Sequence, residues 1–128
     1  MNKKKNEELM RKAEDALHNS LVKIVKPNST DIKDSYNGQT AALGVTIAMS
    51  GIRPALAIYQ KETEGCKRLE ILNAIAVMLN IRGEKPGESL FKTVLNCNDL
   101  ELRQYKTKII ECSIALKQVI RTYNLVKS

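Results

Sequence analysis

Residues 36–59 read YNGQTAALGVTIAMSGIRPALAIY, and no charged residue occurs between Ser35 and Ile52. The rest of the chain is dense in Lys and Glu, so this run stands apart. From 41 to 49 it is apolar on nearly every side of a helical projection, the pattern of a buried helix. It stops at Ser50-Gly51, and glycine after the last periodic residue is the usual positive-φ helix terminator. Pro54 then falls in the first turn of a second helix, where its missing N–H costs nothing. The expectation is a buried helix, a glycine corner and a short helix over 53–60, with the remaining chain wrapped around this hairpin. Gly44 lies inside the first helix, where glycine costs about 1 kcal/mol relative to Ala. A close helix crossing at Gly44 is therefore expected.

Working outward, residues 4–25 predict a first helix. Met10, Ala13, Leu17, Leu21 and Ile24 recur three and four apart. Pro27 ends it, because the residue before a proline is pushed out of helical geometry. Residues 27–31 form a polar linker, and Asp34 or Ser35 caps the buried helix. Residues 62–65 are a turn. A helix over 67–81 follows, with Leu69, Leu72, Ile75 or Ala76, and Leu79 on one face. Lys67 and Arg68 in its first turn oppose the helix dipole, a tolerated surface or a sign of use. A loop at 83–87 precedes a short helix over 88–95 that presents Leu90, Phe91, Val94 and Leu95.

The last helix is the longest. Asn98 with Glu101 three residues on reads as a capping box. Leu102, Tyr105, Ile109, Cys112, Leu116, Val119, Tyr123 and Val126 then form a seam, the geometry of a bundle helix. Ile110 and Ile114 lie off that seam, beside Arg103, Lys106 or Thr107, Lys117 and Arg121. An apolar pair flanked by cations reads as a second contact surface, for a partner subunit, a nucleic-acid backbone or both, or as a wide core stripe. No strand alternation and no repeat is visible. The predicted fold is an all-α, single-domain bundle of five or six helices spanning 1–128, with a long C-terminal helix.

The chain has 128 residues, a net charge of +7 and a pI of about 9.4. That charge suits an acidic partner such as nucleic acid, and equally an ordinary basic surface. No window is apolar over the length of a membrane span. The Lys-rich start lacks the apolar core of a signal peptide, and a cytoplasmic protein is expected. Cys66, Cys97 and Cys112 are widely spaced and read as reduced thiols. His18, the single histidine, reads as a surface residue.

Familiar catalytic patterns are missing. There is no H-E-x-x-H, C-x-x-C or phosphate-cradling glycine loop. The carboxylates are scattered among lysines, so no metal, cofactor, small-molecule substrate or catalytic residue is expected, and binding is the better class. Cations spread over several helices suit a phosphate backbone, a sequence-independent and salt-sensitive contact. The aromatics are few, which argues against base stacking.

The stretch at 36–59 also resembles the small helical subunit of the type III-B CRISPR effector, the Cmr complex. That family has a tyrosine, a run of small and apolar residues, a glycine corner and a short Ala/Leu helix ending in an aromatic. Tyr36, Leu43, Ile47, Gly51, Leu56, Ala57 and Tyr59 fall into this pattern. The family also ends in a long helix, where Asp99, Tyr105, Leu116, Lys117, Arg121 and Tyr123 can play the matching parts. The family often has a tryptophan before the final lysine; here the matching place, near Ala115-Leu116, is aliphatic.

The resemblance implies a non-catalytic protein whose copies stack beside the backbone subunits of an RNA-guided complex. Its cations would contact the phosphates of guide and target RNA, while base pairing supplies specificity and other subunits cleave. The residues assigned to RNA-backbone contact are Arg53, Lys67, Arg68, Arg103, Lys106, Lys117 and Arg121, with Ile110 and Ile114 assigned to the protein interface. The alternative is a helical adaptor that binds only protein.

Overall fold

A computed structural model describes residues 1–63 and 65–128. Among the described residues there are six helices and two short strand pairs. The helical bundle expected from the sequence is present; the strands are not foreseen by it.

Helix α1, Lys3–Leu17, is opened by the Asn2 side chain, which accepts the Lys5 N–H at 2.8 Å. It stops at Leu17 and does not run to Val25. Asn19 competes for the backbone there: its side chain accepts the Leu21 N–H at 2.8 Å, and a turn replaces the helix. Val22 and Ile24 still reach the core, but from irregular chain. Residues 27–31 are no slack linker either. Val25 bridges Ile32, the Lys26 N–H donates to the Asp31 carbonyl at 2.8 Å, and Asn28 takes φ 56° at the tip.

Strand β1, Asp31–Lys33, pairs in parallel with β4, Asn124–Val126, with Ile32 opposite Leu125. The last helix therefore ends at Ile120, and Tyr123 and Val126 leave the expected seam.

Helix α2, Asp34–Ser50, buries only Tyr36, Thr40, Leu43 and Ile47, one face at four- and three-residue steps. Val45 is 59% exposed and Met49 82% exposed, so the helix that looks buried all round is not. Neither Asp34 nor Ser35 caps it; the Ser35 hydroxyl donates instead to the Gly65 carbonyl at 2.9 Å. Gly51 closes it at φ 85°, donating its N–H to the Ile47 carbonyl at 2.9 Å. Helix α3, Ile52–Ile58, follows at once. The Tyr59 hydroxyl then locks the corner by donating to the Gln39 carbonyl at 2.6 Å.

Strands β2, Glu62–Thr63, and β3, Cys66–Lys67, make a small antiparallel hairpin. Glu64, within the expected turn at 62–65, lies outside the described residues. Helix α4, Leu69–Met78, is the true centre: every residue from Ile71 to Ala76 is buried. It begins after Lys67 and Arg68, so those cations do not oppose its dipole from within the first turn; Glu70 occupies that turn. Helix α5, Pro86–Asn96, crosses α4 closely at Gly87. A Cβ on Gly87 would lie 2.9 Å from the Asn73 backbone N. The Asn73 side chain accepts the Gly87 N–H at 2.8 Å. The close crossing expected at Gly44 is thus found at Gly87, while a Cβ on Gly44 meets nothing within 4 Å.

Helix α6, Asp99–Ile120, starts with the capping box that the sequence predicts. The Asn98 side chain accepts the Glu101 N–H at 2.9 Å, and the Glu101 carboxylate accepts the Asn98 N–H at 3.2 Å. Its seam residues Ile109, Cys112, Leu116 and Val119 are buried against α1, α2 and α4. No described helix is long and apolar enough to cross a membrane.

Candidate nucleic-acid interface

The cations singled out by the sequence fall into separate groups. Arg53, on α3, turns inward: its Nε donates to the Val94 carbonyl at 3.1 Å and its Nη2 to the Cys97 carbonyl at 2.8 Å. It caps the C-terminal end of α5. Arg68 lies 5.4 Å from the Tyr59 ring centre and donates to the Lys61 carbonyl at 3.3 Å. Its neighbour Lys67 extends from β3, with Glu62 3.6 Å away in an exposed pair. Arg103 and Lys106 are exposed on the first half of α6. Lys117 lies eleven residues beyond Lys106, about 16 Å along the helix.

Lys117 does come together with the predicted apolar pair, while Arg121 caps the end of α6 beyond it. Lys117, Ile110 and Ile114 line a groove whose other wall is α2, with Thr40, Ala41, Gly44 and Val45. Ile110 is half-buried against the core and Ile114 is 37% exposed. Arg121 is hydrogen-bonded from its Nε to the Asn37 side chain at 3.2 Å. The absence of a side chain on Gly44 leaves this groove open. The exposed apolar face is wider than the sequence indicates, since Val45 and Met49 join it from a helix expected to be buried.

A second basic feature escapes sequence reading. Lys23, Lys26, Lys33 and Lys67 line a cleft of about 460 Å³ floored by Tyr36 and Cys66. Three of these lysines lie on turns and a short strand with no helical register, so no periodicity marks them. Only the β1–β4 pairing and the hairpin bring them to Lys67. Burial raises the pKa of the Tyr36 hydroxyl above its ordinary value, partly offset by the Lys67 N–H that it accepts. Burial also raises the Cys66 thiol, against the lowering effect of the Ser35 hydroxyl, Arg68 and Lys33.

His18 is exposed, as its sequence setting predicts, but it is not alone. It lies 2.8 Å from the Glu14 carboxylate, which also accepts the Tyr123 hydroxyl at 2.6 Å. Burial and the acceptor Glu14 together raise the Tyr123 pKa strongly. This cluster ties the end of α1 to the end of the chain. Among the described residues, no three His, Cys, Asp or Glu side chains are grouped to hold a metal ion.

A family model for the CRISPR-associated protein Cas_Cmr5 matches residues 3–123. The chain belongs to this family. The match runs from the start of α1 through α6 and stops just before β4. No curated protein and no solved structure matches the chain. Membership in Cas_Cmr5 agrees with the resemblance carried by the 36–59 stretch, that of the type III-B Cmr small subunit.

Proposed function

We propose that this Cas_Cmr5 protein is a single-domain, non-catalytic small subunit of a type III-B RNA-guided complex in the cytoplasm. In this reading it stacks with further copies and other effector subunits along the complex, and contacts guide and target RNA through phosphates. The observation that carries the reading is the groove between α2 and α6. Its apolar floor at Gly44, Val45, Ile110 and Ile114 suits a protein neighbour, and Lys117 on its wall, with Arg121 nearby, suits a polyanion running past that neighbour. Lys67, Arg68, Arg103 and Lys106 offer further cations on separate parts of the surface, and Arg53 holds the α5 end.

The exposure of Val45 and Met49 also favours a second reading, an adaptor that binds protein alone. A tagged pull-down from the native cell separates the two. Larger subunits recovered with short RNAs sharing one repeat-derived end are expected. Protein partners recovered without RNA would reject the RNA-contact reading in favour of the adaptor.

A further inference from the structure

The lysine-lined cleft has a feature that an ordinary basic surface lacks. Tyr36 is only 6% exposed, and it lines the cleft. Its hydroxyl oxygen accepts the Lys67 N–H at 3.3 Å, while the hydroxyl proton finds no acceptor among the described residues. A buried hydroxyl normally satisfies its donor. Here the residue with the unused O–H lines a space that four lysines also line. Each ammonium brings three donors and no acceptor. Among the described residues two carboxylates stand against the four lysines: Glu62, paired loosely with Lys67, and Glu70, which accepts the Lys23 N–H at 2.7 Å, so positive charge remains in excess. A volume of about 460 Å³ is in the range of small-ligand sites, about 300–1,000 Å³.

We propose that this cleft is a phosphate-binding site, in which Lys23, Lys26, Lys33 and Lys67 surround the anion and the Tyr36 O–H donates to one of its oxygens. Lysine binds phosphate as a point charge, and the cleft supplies that charge from three separate segments of chain. The phenol stays protonated at neutral pH, because burial holds its pKa above the ordinary value. The site is distinct from the α2–α6 groove and shares only Lys67 with the cations singled out by the sequence. A phosphate of an RNA backbone and a free polyphosphate present the same oxygens, so both fit the chemistry.

The test titrates the full chain with inorganic tripolyphosphate and, separately, with an eight-nucleotide uridine RNA lacking terminal phosphates, at low salt, reading backbone amide shifts. Tripolyphosphate is expected to move the amides of Lys33, Tyr36, Gly65 and Lys67. The double variant Lys26→Gln/Lys33→Gln, at exposed positions, should weaken binding by about tenfold or more. Tyr36→Phe keeps the buried ring and should weaken it about three- to tenfold, the loss of one hydrogen bond. The same shifts with RNA would identify a backbone phosphate as the occupant; shifts with tripolyphosphate alone would identify a free phosphate compound. Silence of the cleft amides towards both probes overturns the site, as does equal affinity in wild type and both variants. If RNA binding is then lost only with Lys117→Glu/Arg121→Glu, the groove reading stands without the cleft.

Discussion

Two glycines that look alike in sequence carry opposite stability effects. Gly44 sits in α2 with open space where a Cβ would go. Gly44→Ala should raise stability by about 1 kcal/mol, the helix-propensity gain, and lift the melting temperature by a few degrees. At Gly87 a Cβ would press on the Asn73 backbone at 2.9 Å and its side-chain oxygen at 2.8 Å. Gly87→Ala should therefore cost about 1–3 kcal/mol, as overpacking does, and thermal unfolding of the two variants gives the signs directly. Sequence shows that a helical glycine needs a reason but not what faces it. Cys112 makes a second prediction at this scale. Burial lifts its thiol from the ordinary 9.0 to about 11. Between those values the folded state holds a proton that the unfolded state releases, so stability falls as pH rises. The contribution is complete below pH 9 and gone above about 11, worth about 2–3 kcal/mol at 1.36 per unit. The melting temperature of wild type should fall more steeply over this window than that of Cys112→Ala; parallel curves would remove Cys112 as the cause.

The elements differ in how openly the sequence declares them. The α2–Gly51–α3 corner and the α6 capping box are legible because each depends on residues within a few positions of one another. The ends of α1 and α6 are not, because spacing alone cannot separate a helical Ile24 or Tyr123 from one buried by irregular chain. Strands β1 and β4 pair across the whole sequence and are three residues each, too short for alternation to register. The site follows the same division: Ile110, Ile114 and Lys117 share a helix face and are found, whereas Lys23, Lys26 and Lys33 converge only through β1 and the turn before it. Deleting 124–128 tests the pairing. It removes β4, the Asn124–Asp31 bond at 2.8 Å and the Ser128 hydroxyl that accepts the Ser35 N–H at 3.0 Å. At about 1 kcal/mol per net hydrogen bond, a loss of about 2–4 kcal/mol is expected, with hydrogen-exchange protection lost at 31–33. Arg53→Met should likewise weaken the α5 end, costing about 1.5–3 kcal/mol for bonds made by a charged donor. Unchanged stability in Arg53→Met would mean that its two carbonyl contacts do not hold in solution.

At the scale of the molecule, apolar and basic surfaces are adjacent but respond to different conditions. Phosphate contacts weaken steeply with salt, because each one releases condensed counterions. A protein contact through the exposed residues Val45, Met49 and Ile114 would bury apolar area and be nearly indifferent to moderate salt. Lys117→Glu/Arg121→Glu reverses charge at one groove-lining position of α6 and at its C-cap while leaving the buried seam of that helix intact. The variant should retain its helicity and show weaker RNA binding. Its log-affinity should fall less steeply with log salt, by about 1.4 units of slope for two contacts to single-stranded RNA. Val45→Asp with Met49→Lys should do the reverse: partner subunits are lost from a pull-down, while the salt slope for RNA is kept. Each pair thereby controls for the other. If both pairs abolish both activities without unfolding the chain, protein and RNA are held through one surface, and the groove is a composite site formed only in the assembled complex.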